Sequence, residues 1–271
     1  MADRKPSVSV FYGESCGRRI SVTGTRCDHE CPHCNRILLE DAVDCSSGGS
    51  MGGLAVPKGS YLVTGGRDAG GAVPLESRIG EIAVLNASNP VIVRPGFVSD
   101  EVVSSLIENG IELFSVRIHQ DPSIIGAVMG LERTPEDYSR LIDSILSAGG
   151  KVVPRITAGF GSADFLLSAD LVRDKGLRKA VLDMIVPDER TSIDESVMDT
   201  ESFLKCARYL MDEGIEVCIG SRRDPDLEDL VPAAAECGIR SFEDLDGSEI
   251  QSLTEAGYEV IAEGGHYGLE E

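Results

Sequence analysis

Arg19-Ile20-Ser21-Val22-Thr23-Gly24-Thr25-Arg26-Cys27-Asp28-His29-Glu30-Cys31-Pro32-His33-Cys34 is a short β-branched run followed at once by three cysteines spaced C-x3-C-x2-C. The run predicts a strand over 19–23, and the cysteine loop leaves from that strand's C-terminal end. In a parallel barrel the loops at that end converge on one mouth, which is where such folds place their chemistry. Three thiolates so close in sequence can hold three irons of a 4Fe-4S cube and leave the fourth iron open to an outside ligand. A zinc site is one alternative. It would need His29 or His33 as fourth ligand, because no second C-x2-C or H-x3-H pair occurs. The other alternative is three unliganded cysteines, which loop exposure disfavours because accessible thiols oxidise.

Outward from this loop, β-branched runs alternate with amphipathic stretches, the pattern of repeated parallel βα units. Strands are predicted over 19–23, 61–64, 90–94, 112–118, 151–157, 179–186, 216–220 and 239–242. Helices are predicted over 74–87, 99–109, 134–148, 162–175, 200–213, 225–237 and 247–256. Ser99 and the Thr134-Pro135-Glu136 start mark helix beginnings, and Gly110, Gly149, Gly176, Gly214 and Gly238 mark ends. The expected fold is α/β, a single eight-unit TIM-type barrel, closed or partly open, spanning 1–271 as one domain. A ninth short strand over 258–263 falls outside the barrel. The first unit is abnormal: after a helix over 35–43, the Gly/Ser-rich segment 45–60 has no periodicity and reads as a flexible loop beside the cysteines.

With 271 residues and a formal charge of −21, the chain lacks the basic surface that nucleic acid or an anionic membrane selects. The start, MADRKPSVSVFYG, has no apolar core, and no run approaches the roughly 18 apolar residues of a membrane helix, so a cytoplasmic location is expected. In that compartment eight cysteines suggest metal ligands or small buried side chains more than disulfides. Against the acidic background Arg67, Arg94, Arg117, Arg155 and Arg222 stand at predicted strand ends. Each could pair with one of the 46 acidic residues, but together they point to bound carboxylate or phosphate groups.

The C-x3-C-x2-C loop after a first strand resembles the motif of the radical S-adenosylmethionine superfamily. Thr64-Gly65-Gly66-Arg67-Asp68 ends the second strand where that family carries Gly-Gly-Glu, with Arg67 in place of the acid. Within it, S-V-T-G-x2-C-x3-C-x-H-C followed by V-T-G-G-x-D and V-P-L is similar to archaeal biotin-synthase-like proteins, including two-component lipoyl synthases. The resemblance runs over about 11–267. It implies a 4Fe-4S cluster on Cys27, Cys31 and Cys34, with S-adenosylmethionine cleaved to methionine and a 5′-deoxyadenosyl radical that abstracts hydrogen. By family position it assigns Thr64, Gly65, Gly66, Arg67, Ser115, Arg117 and Arg155 to the cofactor, with Met184, Ile185 and Val186 near its adenine. Arg94 and Arg222 are left for a small or carrier-bound anionic substrate. The implied partners are an electron donor such as ferredoxin or flavodoxin and, for a lipoyl-type system, a paired radical enzyme.

Sulfur insertion in that family consumes a second cluster, for which Cys16, Cys45 and Cys218 are the candidates. Cys206 and Cys237 read as packing residues. Related proteins carry cysteines after the seventh strand and near the C-terminus, where this chain has Ser221 and Gly264-Gly265-His266. Three functions therefore stay open: lipoyl- or biotin-type sulfur insertion, a one-cluster rearrangement, cleavage or methylation of a small metabolite, and a non-catalytic zinc or iron–sulfur accessory role.

Overall fold

The structure, a computed structural model, describes residues 5–12, 18–48, 51–54, 60–186, 188–191, 198–263 and 265–268. Its strands are β1 (Ser7–Phe11), β2 (Arg19–Ser21), β3 (Val43–Asp44), β4 (Tyr61–Thr64), β5 (Val91–Val93) and β6 (Leu113–Ile118), then β7 (Lys151–Ala158), β8 (Lys179–Met184), β9 (Glu216–Ile219), β10 (Ser241–Glu243) and β11 (Glu259–Glu263). The helices are α1 (Ile37–Glu40), α2 (Ile79–Ser88), α3 (Asp100–Glu108), α4 (Pro135–Ser147), α5 (Ser162–Asp174), α6 (Thr200–Asp212), α7 (Leu230–Glu236) and α8 (Gly247–Glu255). All strands are parallel in one sheet, ordered β11-β1-β10-β9-β8-β7-β6-β5-β4-β2-β3. Strands such as Val91-Ile92-Val93 are buried on both faces, which is why they read as unbroken apolar runs.

The sheet curls. His266 N–H donates to Ser60 Oγ, just before β4, while the Tyr267 hydroxyl donates to Glu216, the first residue of β9. β4 and β9 are five intervals apart in the sheet, about 24 Å if it were flat. Two adjacent residues can reach both only if the sheet bends round them. Tyr267 thus plugs the N-terminal end of the barrel, packed edge-on to Phe11 with Leu62, Ile92, Leu113, Val153, Val181 and Cys218 around it. The opposite faces of the strands form the larger core with the helices.

The eight predicted barrel strands are all present in sequence order. Beyond them β1 inserts between β10 and β11, so the expected outlying strand at 258–263 is a sheet member after all, paired with β1 along its length. β1 escaped detection because Ser7-Val8-Ser9-Val10 gives a short alternation ahead of any helix. The helix expected at 35–43 shrinks to Ile37–Glu40, because Asn35 and Arg36 adopt left-handed backbone (φ 41° and 68°), which starts it late. The 225–237 helix begins only at Leu230, since Asp224 accepts from the N–H of Asp226 and holds the chain in a turn. In the 45–60 segment Met51 is fully buried in a short 3-10 turn, and residues 49–50 and 55–59 lie outside the described residues.

Helix α8 begins on a reciprocal cap. Asp246 accepts from the N–H groups of Ser248 and Glu249, and Glu249 accepts from the N–H of Asp246. Asp246→Ala is expected to cost about 1 kcal/mol in urea unfolding at neutral pH. The Glu249 N–H, first, and then the Ser248 hydroxyl hold the Asp246 carboxyl below its ordinary value. The cap is therefore fully stabilising above the usual aspartate pKa of about 4 and fades as pH falls through the lowered value. The gap between wild type and variant should shrink accordingly in acid.

Candidate active site

The cysteine loop lies across the C-terminal mouth of the barrel and is fastened there by backbone contacts. Gly66 N–H donates to Thr23 Oγ1 (2.6 Å), Asp28 N–H to Arg67 O (2.9 Å), and the Arg67 N–H points at Cys27 Sγ (3.3 Å). His29 spans two rims, its ring nitrogens 3.0 Å from Gly130 O and 2.6 Å from Asp68 O. Cys31 Sγ and His33 Nδ1 lie 2.8 and 3.1 Å from the carbonyls of Met129 and Val128. That rim is held by a π-helical turn, Ile124–Val128. Burial pushes the Cys31 thiol up to about 11, against the opposing pull of Arg67.

Gly66 has to be glycine. A Cβ there would collide with the Arg26 carbonyl oxygen and lie 2.7 Å from Cys27 Cα. Gly66→Ala is expected to leave the fold intact, since the site is at the mouth, and to displace the cysteine loop. Iron bound after anaerobic reconstitution should drop severalfold, with the far-ultraviolet circular dichroism unchanged.

Cys27, Cys31 and Cys34 all line one cavity, together with Thr64, Gly65 and Gly66. Arg19, Arg36, Arg67, Arg94 and Arg117 line it as well, with no carboxylate among its described lining residues. Arg19, Arg36 and Arg117 each have a carboxylate behind them, Asp41 at 3.9 Å, Glu30 at 3.6 Å and Asp183 at 3.6 Å, but the face turned to the cavity is cationic and suits an anion. Arg19 and Arg36 were not picked out in the sequence. Arg19 opens a strand rather than ending one, and Arg36 is brought to the cavity by the left-handed turn at 35–36, for which no residue pattern gives notice.

The remaining predicted residues separate. Arg155, 3% exposed, is fully committed to carboxylates: its guanidinium meets Asp183 at 2.7 Å and Glu243 at 2.9 Å below the mouth. Of the two sources of counter-charge the sequence left open for this arginine, a bound anion or the chain's own acids, Asp183 and Glu243, distant in sequence, are the ones beside it. Arg117 leans on the same Asp183 (3.6 Å). Burial lowers the Arg117 pKa to about 10, opposed by Asp183 and reinforced by Arg94 and Arg222. Its Nε and the Ser115 Oγ are buried without a partner. Met184 and Ile185 line a smaller cavity beside His33 and Arg117, while Val186 borders a separate groove with His33 and Cys34. Arg222 reaches both of these spaces and lies outside the lining of the main cavity.

No family model and no curated protein sequence matches the chain. Solved structures do. Methylornithine synthase (PylB) aligns at TM-score 0.62 and 12% identity, over 88% of this chain and 72% of that one. The FeFe-hydrogenase maturase HydG from Carboxydothermus hydrogenoformans gives 0.59 and 12%, over 88% and 58%. Streptococcus suis SuiB bound to S-adenosylmethionine gives 0.56 and 12%, over 95% and 59%. The chain shares their fold.

This chain thus spans less than two thirds of HydG and of SuiB. The likeness bears out the α/β barrel expected from the βα period. Among the described residues no helix is long and apolar enough to cross a membrane.

Of the second-cluster candidates, Cys45 is buried in the core between sheet and helices and Cys218 in the layer around Tyr267. Cys16 lies outside the described residues. Cys206 sits half-buried on α6, and Cys237 meets an Arg208 guanidinium nitrogen at 3.0 Å. Among the described residues no three Cys, His, Asp or Glu side chains converge on one point, as a single metal ion requires. A 4Fe-4S cube takes each cysteine on a separate iron, so it asks of the three thiols that they face one cavity, as they do.

Proposed function

We propose that this protein is a radical S-adenosylmethionine enzyme acting on a small anionic substrate with a single 4Fe-4S cluster held by Cys27, Cys31 and Cys34. The observation that carries this is the cavity itself, which brings three cysteines and five arginines to the mouth of a fold also found in SuiB bound to S-adenosylmethionine. Once bound, the cluster and cofactor would supply reductive cleavage to methionine and a 5′-deoxyadenosyl radical.

The chain's own residues orient and enclose. Thr64, Gly65 and Gly66 offer backbone to the cofactor's amino acid end, and the Ser115 hydroxyl and Arg117 Nε have hydrogen bonds to give. Arg67 and Arg94 add the positive field that a carboxylate needs. Arg155 keeps the floor rigid by joining β7, β8 and β10. Met184 and Ile185 in the smaller cavity and Val186 in the neighbouring groove are the apolar side chains offered to the adenine, and Arg222, which reaches both spaces, is the cation left to a substrate approaching from that side. A protein electron donor such as ferredoxin or flavodoxin would supply the reducing electron.

The one-cluster reading is preferred to sulfur insertion because Cys45 and Cys218 are both fully buried and packed into two different cores, so they do not share one surface with each other. Metal and acid-labile sulfide analysis after anaerobic reconstitution decides between them. About four irons per chain is expected; clearly more would favour sulfur insertion, and zinc without iron would overturn the proposal.

A further inference from the structure

Asp164 and His119 form a buried pair at the edge of the main cavity, 2% and 1% exposed, with Asp164 Oδ2 and His119 Nδ1 at 2.9 Å. The other carboxylate oxygen, Oδ1, accepts from two backbone N–H groups, Gln120 at 2.6 Å and Asp121 at 2.9 Å. Those two bonds fix which oxygen faces the ring. A carboxylate oxygen only accepts, so Nδ1 must carry the hydrogen, and in the neutral ring Nε2 is then a bare acceptor. Burial lowers the His119 pKa and favours that neutral form, although Asp164 works the other way. Nε2 is buried with no hydrogen-bond partner, and His119 lines the cavity. The ring cannot swing away, because Tyr138 and Phe160 pack edge-on at centroid distances of 6.3 and 5.6 Å.

An acceptor without a donor in a buried wall costs free energy unless a ligand supplies the donor. The donor is a hydroxyl rather than an ammonium, because Arg67 and Arg117 line the same cavity as His119 and would repel a cation. Arg94, on the same cavity wall and left to the substrate once the cofactor is bound, attracts a carboxylate. We propose that His119 is a specificity-determining residue that accepts a hydrogen bond from a hydroxyl of the substrate, so that the cavity takes a hydroxycarboxylate. This rests on the proposed function for the reaction, while the choice of ligand rests on the pair for the hydroxyl and on the arginine wall for the carboxylate.

The test uses the anaerobically reconstituted full chain, saturated with S-adenosylmethionine, and calorimetric titration with lactate and pyruvate. These carboxylates differ by a hydroxyl against a carbonyl on the same carbon. Wild type is expected to bind lactate about tenfold more tightly, the scale of one buried hydrogen bond. Asp164→Asn is the decisive variant. Its amide oxygen can keep both backbone bonds, which turns the amide N–H2 toward Nδ1 and forces the hydrogen onto Nε2. Preference should then vanish or invert toward pyruvate. Nitrogen-15 spectra of the histidines check the same switch independently of any ligand, with Nε2 of His119 unprotonated in wild type and protonated in the variant.

Equal binding of the two probes by wild type, binding of neither, or a protonated Nε2 in wild type would each overturn the proposal. So would a lactate preference that exists only without S-adenosylmethionine, because His119 would then serve the cofactor. Formation of 5′-deoxyadenosine by wild type is scored separately. Cleavage without discrimination sinks the hydroxycarboxylate inference alone, and discrimination without cleavage sinks the radical reading alone.

Discussion

Cys31→Ala protein, reconstituted anaerobically beside wild type, is expected to retain almost none of the roughly four irons per chain and to lose more than about 100-fold in 5′-deoxyadenosine formation. Loss of an outer partner of a metal ligand already costs 10–100-fold, and Cys31 is proposed as a ligand itself. Its Sγ also lies 2.8 Å from Met129 O on the facing rim. Cys27→Ala and Cys34→Ala should behave alike, because a cube left with two protein ligands has two open irons. Cys206→Ala, on the outer helix α6, should keep its iron. Equal iron in Cys31→Ala and wild type, measured by colorimetric iron assay, would remove Cys31 from the ligand set.

Asp183→Ala is expected to destabilise the protein by about 3–5 kcal/mol in urea unfolding. Asp183 is 1% exposed and takes two bonds from Arg155, at 3.0 and 2.7 Å, with Arg117 at 3.6 Å. Deleting it removes two of the carboxylate bonds of Arg155 and takes from Arg117 the carboxylate 3.6 Å away. The cost comes from stranding buried charge rather than from the worth of the pair, since a well-packed apolar replacement of a whole buried network can be neutral. Asp183→Asn, which keeps shape and one acceptor oxygen, should lose less. An alanine variant as stable as wild type would mean that the guanidinium groups relax to solvent.

Much of the barrel was legible because its signals are local. Alternation of β-branched and amphipathic segments and the stops at Gly110, Gly149 and Gly214, all in left-handed backbone, mark units one at a time. The cysteines were legible for the same reason, being spaced within one loop. What escaped depends on distant partners. Arg155 could not be told from a ligand-binding arginine without knowing that Asp183 and Glu243 sit beside it. β1 joins β11 across almost the whole chain, and β11 showed itself as a strand without showing a place in the sheet. The His119–Asp164 pair joins two βα units, so a lone histidine in the sequence gave no sign that its Nε2 would be left as an acceptor.

The central claim is that this mouth cleaves S-adenosylmethionine by one-electron reduction. Its most direct test is chromatographic measurement of 5′-deoxyadenosine and methionine from the four-iron protein incubated anaerobically with S-adenosylmethionine, with and without dithionite. Equal amounts of both products that depend on the reductant are predicted; an iron-replete, reduced protein giving no more of either than the dithionite-free control would contradict the account.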